Sequence, residues 1–130
     1  MNKQSTIPYL TVKNTQKTID FYRDVFGFTY IPNNTGESPE HAEMKFQNTV
    51  IMFCAEGAFG TTAKAPGTDR VESPITLYFY VDDVDNFYQF VKSKDVITEN
   101  QPTDQFYGER MFSVIDINGY RFAFASKIKS

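Results

Sequence analysis

The same pattern of apolar residues is written twice into this chain. From Val12 to the turn residue Asn48 is 36 residues, and from Val81 to Asn118 is 37. Ile19 and Tyr22 lie 7 and 10 positions past Val12, while Tyr88 and Val91 lie 7 and 10 past Val81. Each copy opens on a strand-like stretch (7–12 or 75–81), continues through a run with helical spacing, and closes on two strand-like stretches around a turn. A period of two marks a half-buried strand and a period near 3.6 marks an amphipathic helix. Two β-α-β-β(-β) units of one length point to a duplicated module. With 130 residues in all, the two units fall within one domain, 1–130, with one core.

Local signals set the boundaries. Asn14 can cap a first helix whose apolar stripe is Ile19, Tyr22, Val25 and Phe26, and Gly27 can close it in the left-handed conformation. Residues 42–46 alternate, 50–54 form a more continuous apolar strand, and 47–49 read as the hairpin turn between them. Module one therefore spans about 7–55. Residues 55–74 are rich in Gly, Ala and Thr without periodicity and read as a connector. In module two, about 75–125, Asp82 is the expected cap and Asp85 lies three positions on, ahead of the stripe Val84, Phe87, Tyr88 and Val91. Strands over 112–117 and 120–124 meet at Asn118-Gly119, the strongest short hairpin signal.

Composition agrees with a sheet-rich chain. There are 13 Phe, 8 Tyr, 9 Val and 9 Ile but only 2 Leu, and aromatic and β-branched side chains suit a pleated surface. The net charge of −3 disfavours a nucleic-acid partner, which needs clustered Lys and Arg. No apolar run approaches the roughly 20 residues of a membrane helix. The first six residues contain no apolar signal-peptide core, so a cytoplasmic location is expected. The one cysteine, Cys54, excludes an internal disulfide framework and a cysteine-based zinc site. Alone in sequence, it reads as an inert buried thiol. Gly57, Gly60 and Gly67 fit neither a phosphate loop nor a nucleophile elbow.

Several motifs in order carry a resemblance. Pro8-Tyr9-Leu10-Thr11-Val12 with Ile19-Asp20-Phe21-Tyr22-Arg23-Asp24-Val25-Phe26-Gly27-Phe28, then His41-Ala42-Glu43-Met44, Tyr78-Phe79-Tyr80-Val81-Asp82-Asp83-Val84, Gly108-Glu109-Arg110 and Asp116-Ile117-Asn118-Gly119-Tyr120-Arg121, resemble the vicinal-oxygen-chelate superfamily of glyoxalases, bleomycin-resistance proteins and dioxygenases, in its PhnB-like branch. Glu109 stands where that branch usually has Asp. The resemblance covers about 7–125 and implies an α+β fold: two βαβββ modules whose curved mixed sheets surround a concave cavity, with helices outside. It fixes fold better than chemistry.

In metal-dependent members four ligands come from four strands. Those positions fall on Ile7, Met52, Thr76 and Ala123, which lack the imidazole, carboxylate or thiolate that zinc, iron and nickel take. No metal and no cofactor are therefore expected. His41 is the one histidine, and Glu43 stands two residues along the same strand, so the pair shares a face. They are the weak catalytic candidates, as an oriented general base or as ligands of a shifted metal site; the alternative is a strand-end histidine with a solvated glutamate. Strand alternation sends Tyr9, Thr11, Met52, Thr76, Tyr78, Tyr80, Arg110 and Arg121 toward the cavity, and Phe112 is grouped with its aromatic wall. The arginines could grip a carboxylate or phosphate, or merely pair with surface acids. These readings imply a metal-independent small-molecule-binding protein, resembling bleomycin-resistance-type binders, for an aromatic or amphipathic ligand. The alternative is a glyoxalase-like lyase or isomerase using His41 and Glu43. Open sheets with exposed edges and apolar faces also imply a homodimer.

Overall fold

The structure is a computed structural model and describes residues 4–32 and 40–129. The reading of the extreme N-terminus falls partly outside these residues. Module one runs β1 (Tyr9–Val12), α1 (Thr15–Phe26), β2 (Thr29–Ile31), β3 (His41–Phe46) and β4 (Thr49–Ala55). The connector contains a 3₁₀ turn (Ala58–Gly60) and a one-turn helix, α2 (Pro66–Asp69). Module two runs β5 (Thr76–Tyr80), α3 (Val84–Lys92), β6 (Thr103–Asp104), β7 (Glu109–Ile115) and β8 (Arg121–Lys127). The sheets are ordered β1-β4-β3-β2 and β5-β8-β7-β6. In each, the first strand pairs parallel with the last and the other pairs are antiparallel. The modules are topological copies, as the repeated register requires.

Local chemistry sets the helix ends. Asn14 accepts from the Lys17 backbone N–H, and Gly27 closes α1 at φ 78° with its N–H bonded to Arg23 O. The cap of α3 is Asp83, which accepts from Asn86 N, and not the expected Asp82. The two aspartates are adjacent, and the one whose side chain reaches the third N–H ahead is the cap.

The two modules share one core. Ile19, Tyr22, Val25 and Phe26 of α1 are all buried, as are Val84 and Val91 of α3. Aromatic rings tie one module to the other: Phe26 stacks on Phe122 at 5.0 Å, Phe28 meets Phe79 at 5.6 Å, and Phe46 meets Phe87 at 5.7 Å. The helix-bearing faces of both sheets therefore pack together. Their other faces stay open, and within this chain the sheets do not close around a cavity.

A polar latch completes the join. Tyr120, in the β7–β8 hairpin, donates its hydroxyl to Thr11 O at 2.8 Å and accepts from Thr11 N at 3.1 Å, satisfying the outer backbone groups of edge strand β1. Asn118 Oδ1 accepts from Lys13 N, and its amide donates to Thr18 Oγ1. Tyr22 donates to the buried Asp116 carboxylate at 2.5 Å, and that carboxylate also accepts from the backbone N–H of Asn118 and Tyr120. Burial is the larger influence on Asp116 and holds its carboxyl above the usual range against these hydrogen bonds. Gly119 sits at φ 93° with Gly67 so close that an added Cβ would lie 2.5 Å from the Gly67 nitrogen. The hairpin thus also pins the connector.

Candidate functional site: two open sheet faces

Register sorts the side chains. On the first sheet Tyr9 pairs with Met52 and Met52 with Glu43, while Thr11 pairs with Cys54 and Cys54 with His41, so all six share the open face. Leu10, Met44, Ile51 and Phe53 occupy the core face. The Tyr9 hydroxyl lies 2.7 Å from His41 Nδ1. Burial, and then the neighbouring Cys54, push the Tyr9 phenol above its ordinary value, so it keeps its proton and can donate to Nδ1. His41 Nε2 is 3.9 Å from Glu43 Oε2, an ion-pair distance but too long for a hydrogen bond. The structure therefore brings His41 and Glu43 together with Tyr9, which the sequence places on the cavity side without pairing it to the histidine. Cys54 is buried beneath this group.

On the second sheet Thr76 pairs with Arg121, Tyr78 with Ala123 and Tyr80 with Ala125, and these share the open face with Glu109, Met111 and Ser113 of β7. Tyr78 occupies the place in its module that Tyr9 has in the first. Its hydroxyl donates to Glu109 Oε1 at 2.7 Å and lies 3.2 Å from the Tyr107 hydroxyl. Burial and these bonds push the Tyr78 phenol far up, and hydrogen bonding to Glu109 raises that of Tyr80. The rings of Tyr78 and Tyr80 meet edge to face at 5.6 Å. Each first-strand tyrosine is thus held by an acceptor on the third strand of its module: His41 on β3 and Glu109 on β7.

Phe112 and Arg110 lie elsewhere than expected, and Arg121 follows the ion-pair alternative. Phe112 is fully buried on the helix side, 5.1 Å from the Tyr88 ring and 5.6 Å from Phe124, and lines no cavity. Arg110 shares its parity and leaves the open face with it. Its guanidinium bonds Asp85 at the start of α3 at 3.1 Å and Asp104 at 3.1 Å. Arg121 does lie on the open face, but it is engaged: it grips both carboxylate oxygens of Glu99 at 2.8 and 3.1 Å and bonds Glu72 at 3.1 Å. Arg121 in turn holds the Glu99 carboxyl below the usual range.

The four positions where the fold's metal ligands would fall offer no donor set. Ile7 precedes β1, Met52 carries a thioether, Thr76 an exposed hydroxyl, and Ala123 is a buried methyl group. Among the described residues no three of His, Cys, Asp or Glu are grouped so that they could hold a metal ion. These residues do not fit a catalytic metal. A cleft of about 230 Å³ runs beside β5, between Tyr78 and Tyr80 and the β3–β4 turn at Gln47 and Asn48. That is below the usual size of a drug-like ligand site, roughly 300–1,000 Å³. The Tyr9 group lies on the first sheet and the Tyr78 group on the second, so each module carries its own half-site. No helix among the described residues is long and apolar enough to cross a membrane.

Known proteins share this architecture. A bleomycin resistance protein from Geobacillus stearothermophilus is 28% identical over 96% of this chain and 98% of its own length. The crystal structure of TioX from Micromonospora sp. ML1 superposes with a TM-score of 0.77 at 19% identity, covering 97% of this chain and 100% of that one. The fosfomycin resistance protein FosX from Listeria monocytogenes, solved with Mn(II) and sulfate, superposes with a TM-score of 0.71 at 15% identity, covering 98% and 93%. At such identities these two structures speak for the fold alone. Residues 6–124 match the family model described as glyoxalase/bleomycin resistance protein/dioxygenase superfamily, and the chain belongs to that family.

Proposed function

We propose that this protein binds an aromatic or amphipathic small molecule without a metal, on the open sheet faces that carry Tyr9 and Tyr78. The observation that carries this reading is the combination of exposed aromatics with a missing donor set. Tyr9 is 51% exposed and Tyr80 60% exposed on faces that a folded chain ordinarily covers. Yet the places where the fold would hold a metal present Ile7, Met52, Thr76 and Ala123. Aromatic walls bind flat ligands through their faces, and phenol hydroxyls set orientation. The similarity to a bleomycin resistance protein over nearly the whole of both chains supports a binding role.

A homodimer belongs to the same reading. The helix faces of both modules are spent on the shared core, so each chain turns two half-sites outward. A two-fold partner would bring the first sheet of one chain against the second sheet of the other, and both half-sites would gain a wall. Membership of the PhnB-like branch and a cytoplasmic location accompany this proposal.

The test is a panel of aromatic and amphipathic compounds, bleomycin included, read as shifts in melting temperature alongside metal analysis of the purified protein. A compound that binds only the native state must raise its melting temperature. Stabilisation with less than one equivalent of zinc, iron, nickel or manganese is expected. A tightly held full equivalent, lost in His41→Ala, would overturn the proposal in favour of a lyase built on His41 and Glu43.

A further inference from the structure

We infer that the open face of the second sheet seats an organic ammonium group on Tyr78, Tyr80 and Tyr107, with Glu109 as its counter-charge. This rests on the small-molecule reading above and adds the charge class of the ligand and two residues, Tyr107 and Glu109, to its site.

Four observations converge on this patch. First, its aromatics are wet: Tyr80 is 60% and Tyr107 50% exposed, and the adjoining Phe106 is 99% exposed. Second, the rings surround one carboxylate. Tyr78 bonds Glu109, reaches Tyr107 at 3.2 Å and meets the Tyr80 ring at 5.6 Å. Third, no ion pair holds that carboxylate: among the described residues no Lys or Arg pairs with Glu109. Arg121 is occupied by Glu99 and Glu72, and Arg110 by Asp85 and Asp104 on the other side of the sheet. Lys127, opposite Glu109 on β8, is exposed and makes no ion pair with it. Fourth, burial of Tyr78 and the hydrogen bonding of Tyr80 to Glu109 push these two phenols above their ordinary value, so they add donors and ring faces without adding charge.

The chemistry this arrangement selects is a diffuse cation. Aromatic faces attract cations through the ring quadrupole, and quaternary ammonium groups are recognised by aromatic rings acting together. A carboxylate has about four acceptor sites, and the phenols use only part of them. A hard metal ion is disfavoured, because it would need several more oxygen ligands than one carboxylate supplies. The net charge of −3 adds weak long-range attraction of the same sign.

Choline and its uncharged isostere 3,3-dimethylbutan-1-ol separate charge from shape. Each is titrated into the full chain and followed by amide chemical shifts at fixed ionic strength. We expect choline to bind at least about tenfold more tightly, a ratio within cation–π and carboxylate energies, and to shift the amides of Tyr78, Tyr80, Tyr107 and Glu109. Glu109→Gln should erase the preference for choline over the alcohol, and Tyr80→Leu should weaken choline binding. Equal binding of the two probes, choline shifts centred elsewhere, or a preference that survives Glu109→Gln would overturn the ammonium assignment. The small-molecule reading would still stand if neutral aromatics stabilise the protein, and it would fall with this one if nothing binds.

Discussion

Replacing Tyr22 with Phe removes one hydroxyl from the latch between α1 and the β7–β8 hairpin and leaves the ring in its aromatic cluster. The hydroxyl donates to Asp116, which is 6% exposed, and no solvent is at hand to replace it. A hydrogen bond to a charged buried group contributes roughly 1.5–3 kcal/mol, so Tyr22→Phe should cost about 2 kcal/mol at pH 7. For a chain of this size that is about 8 °C in melting temperature. The sign of the pH dependence is the sharper test. Burial raises the folded pKa of Asp116 above its ordinary 3.8, so between those two values the native state binds more protons than the unfolded one. The contribution of Asp116 to stability therefore improves as pH falls through its raised folded pKa and is poorest at neutral pH. Tyr22 favours the ionised form, so the cost of Tyr22→Phe should be largest at pH 7 and shrink on acidification. Urea unfolding followed by circular dichroism across that pH range, at constant protein concentration, measures both. A cost below about 0.5 kcal/mol, or one that grows as pH falls, would refute the reasoning.

Gly119→Ala should cost about 3 kcal/mol, because it combines a φ of 93° with a Cβ 2.5 Å from the Gly67 nitrogen; chemical denaturation reads this, and a neutral result would mean that the hairpin does not pin the connector. Arg110→Gln should change the melting temperature little, since the Asp85 and Asp104 side chains are each 56% exposed and solvent screens the pairs, and it should leave ligand-induced melting shifts unchanged. Arg121→Gln removes the cation that holds the Glu99 carboxyl down. That pairing supports the fold above the ordinary pKa of Glu99 and is lost as pH falls through its depressed folded value, so the variant's deficit should fade in acid, as unfolding at two pH values would show.

Much of this was legible in the sequence. The repeated spacing gave the two modules because strand pairing and a helix crossover fix the distance from opening strand to hairpin. Leu10, Phe79, Phe122 and Phe124 could be assigned to the core because their strands alternate. Strand β7 could not be phased in that way: Met111, Phe112, Val114 and Ile115 put apolar groups on both faces, and only the pairing of Phe112 with Phe124 reveals which side is inside. That ambiguity alone sends Arg110 and Phe112 to the wrong face, and nothing in the sequence distinguishes Glu109 from a surface acid. Strands β2 and β6, of three and two residues, are too short to show a period. Tyr107 lies in a turn, where alternation says nothing about what it faces.

Binding that needs no metal is tested most directly by one comparison on one preparation. The melting-temperature shifts produced by a panel of flat aromatic compounds are measured on chelator-treated protein and again after addition of Mn(II) or Zn(II). The same compounds should stabilise by the same amounts in both, with the shifts reduced in Tyr9→Ala and Tyr80→Ala. Stabilisation that appears only with metal, or metal-dependent consumption of a compound, would contradict it.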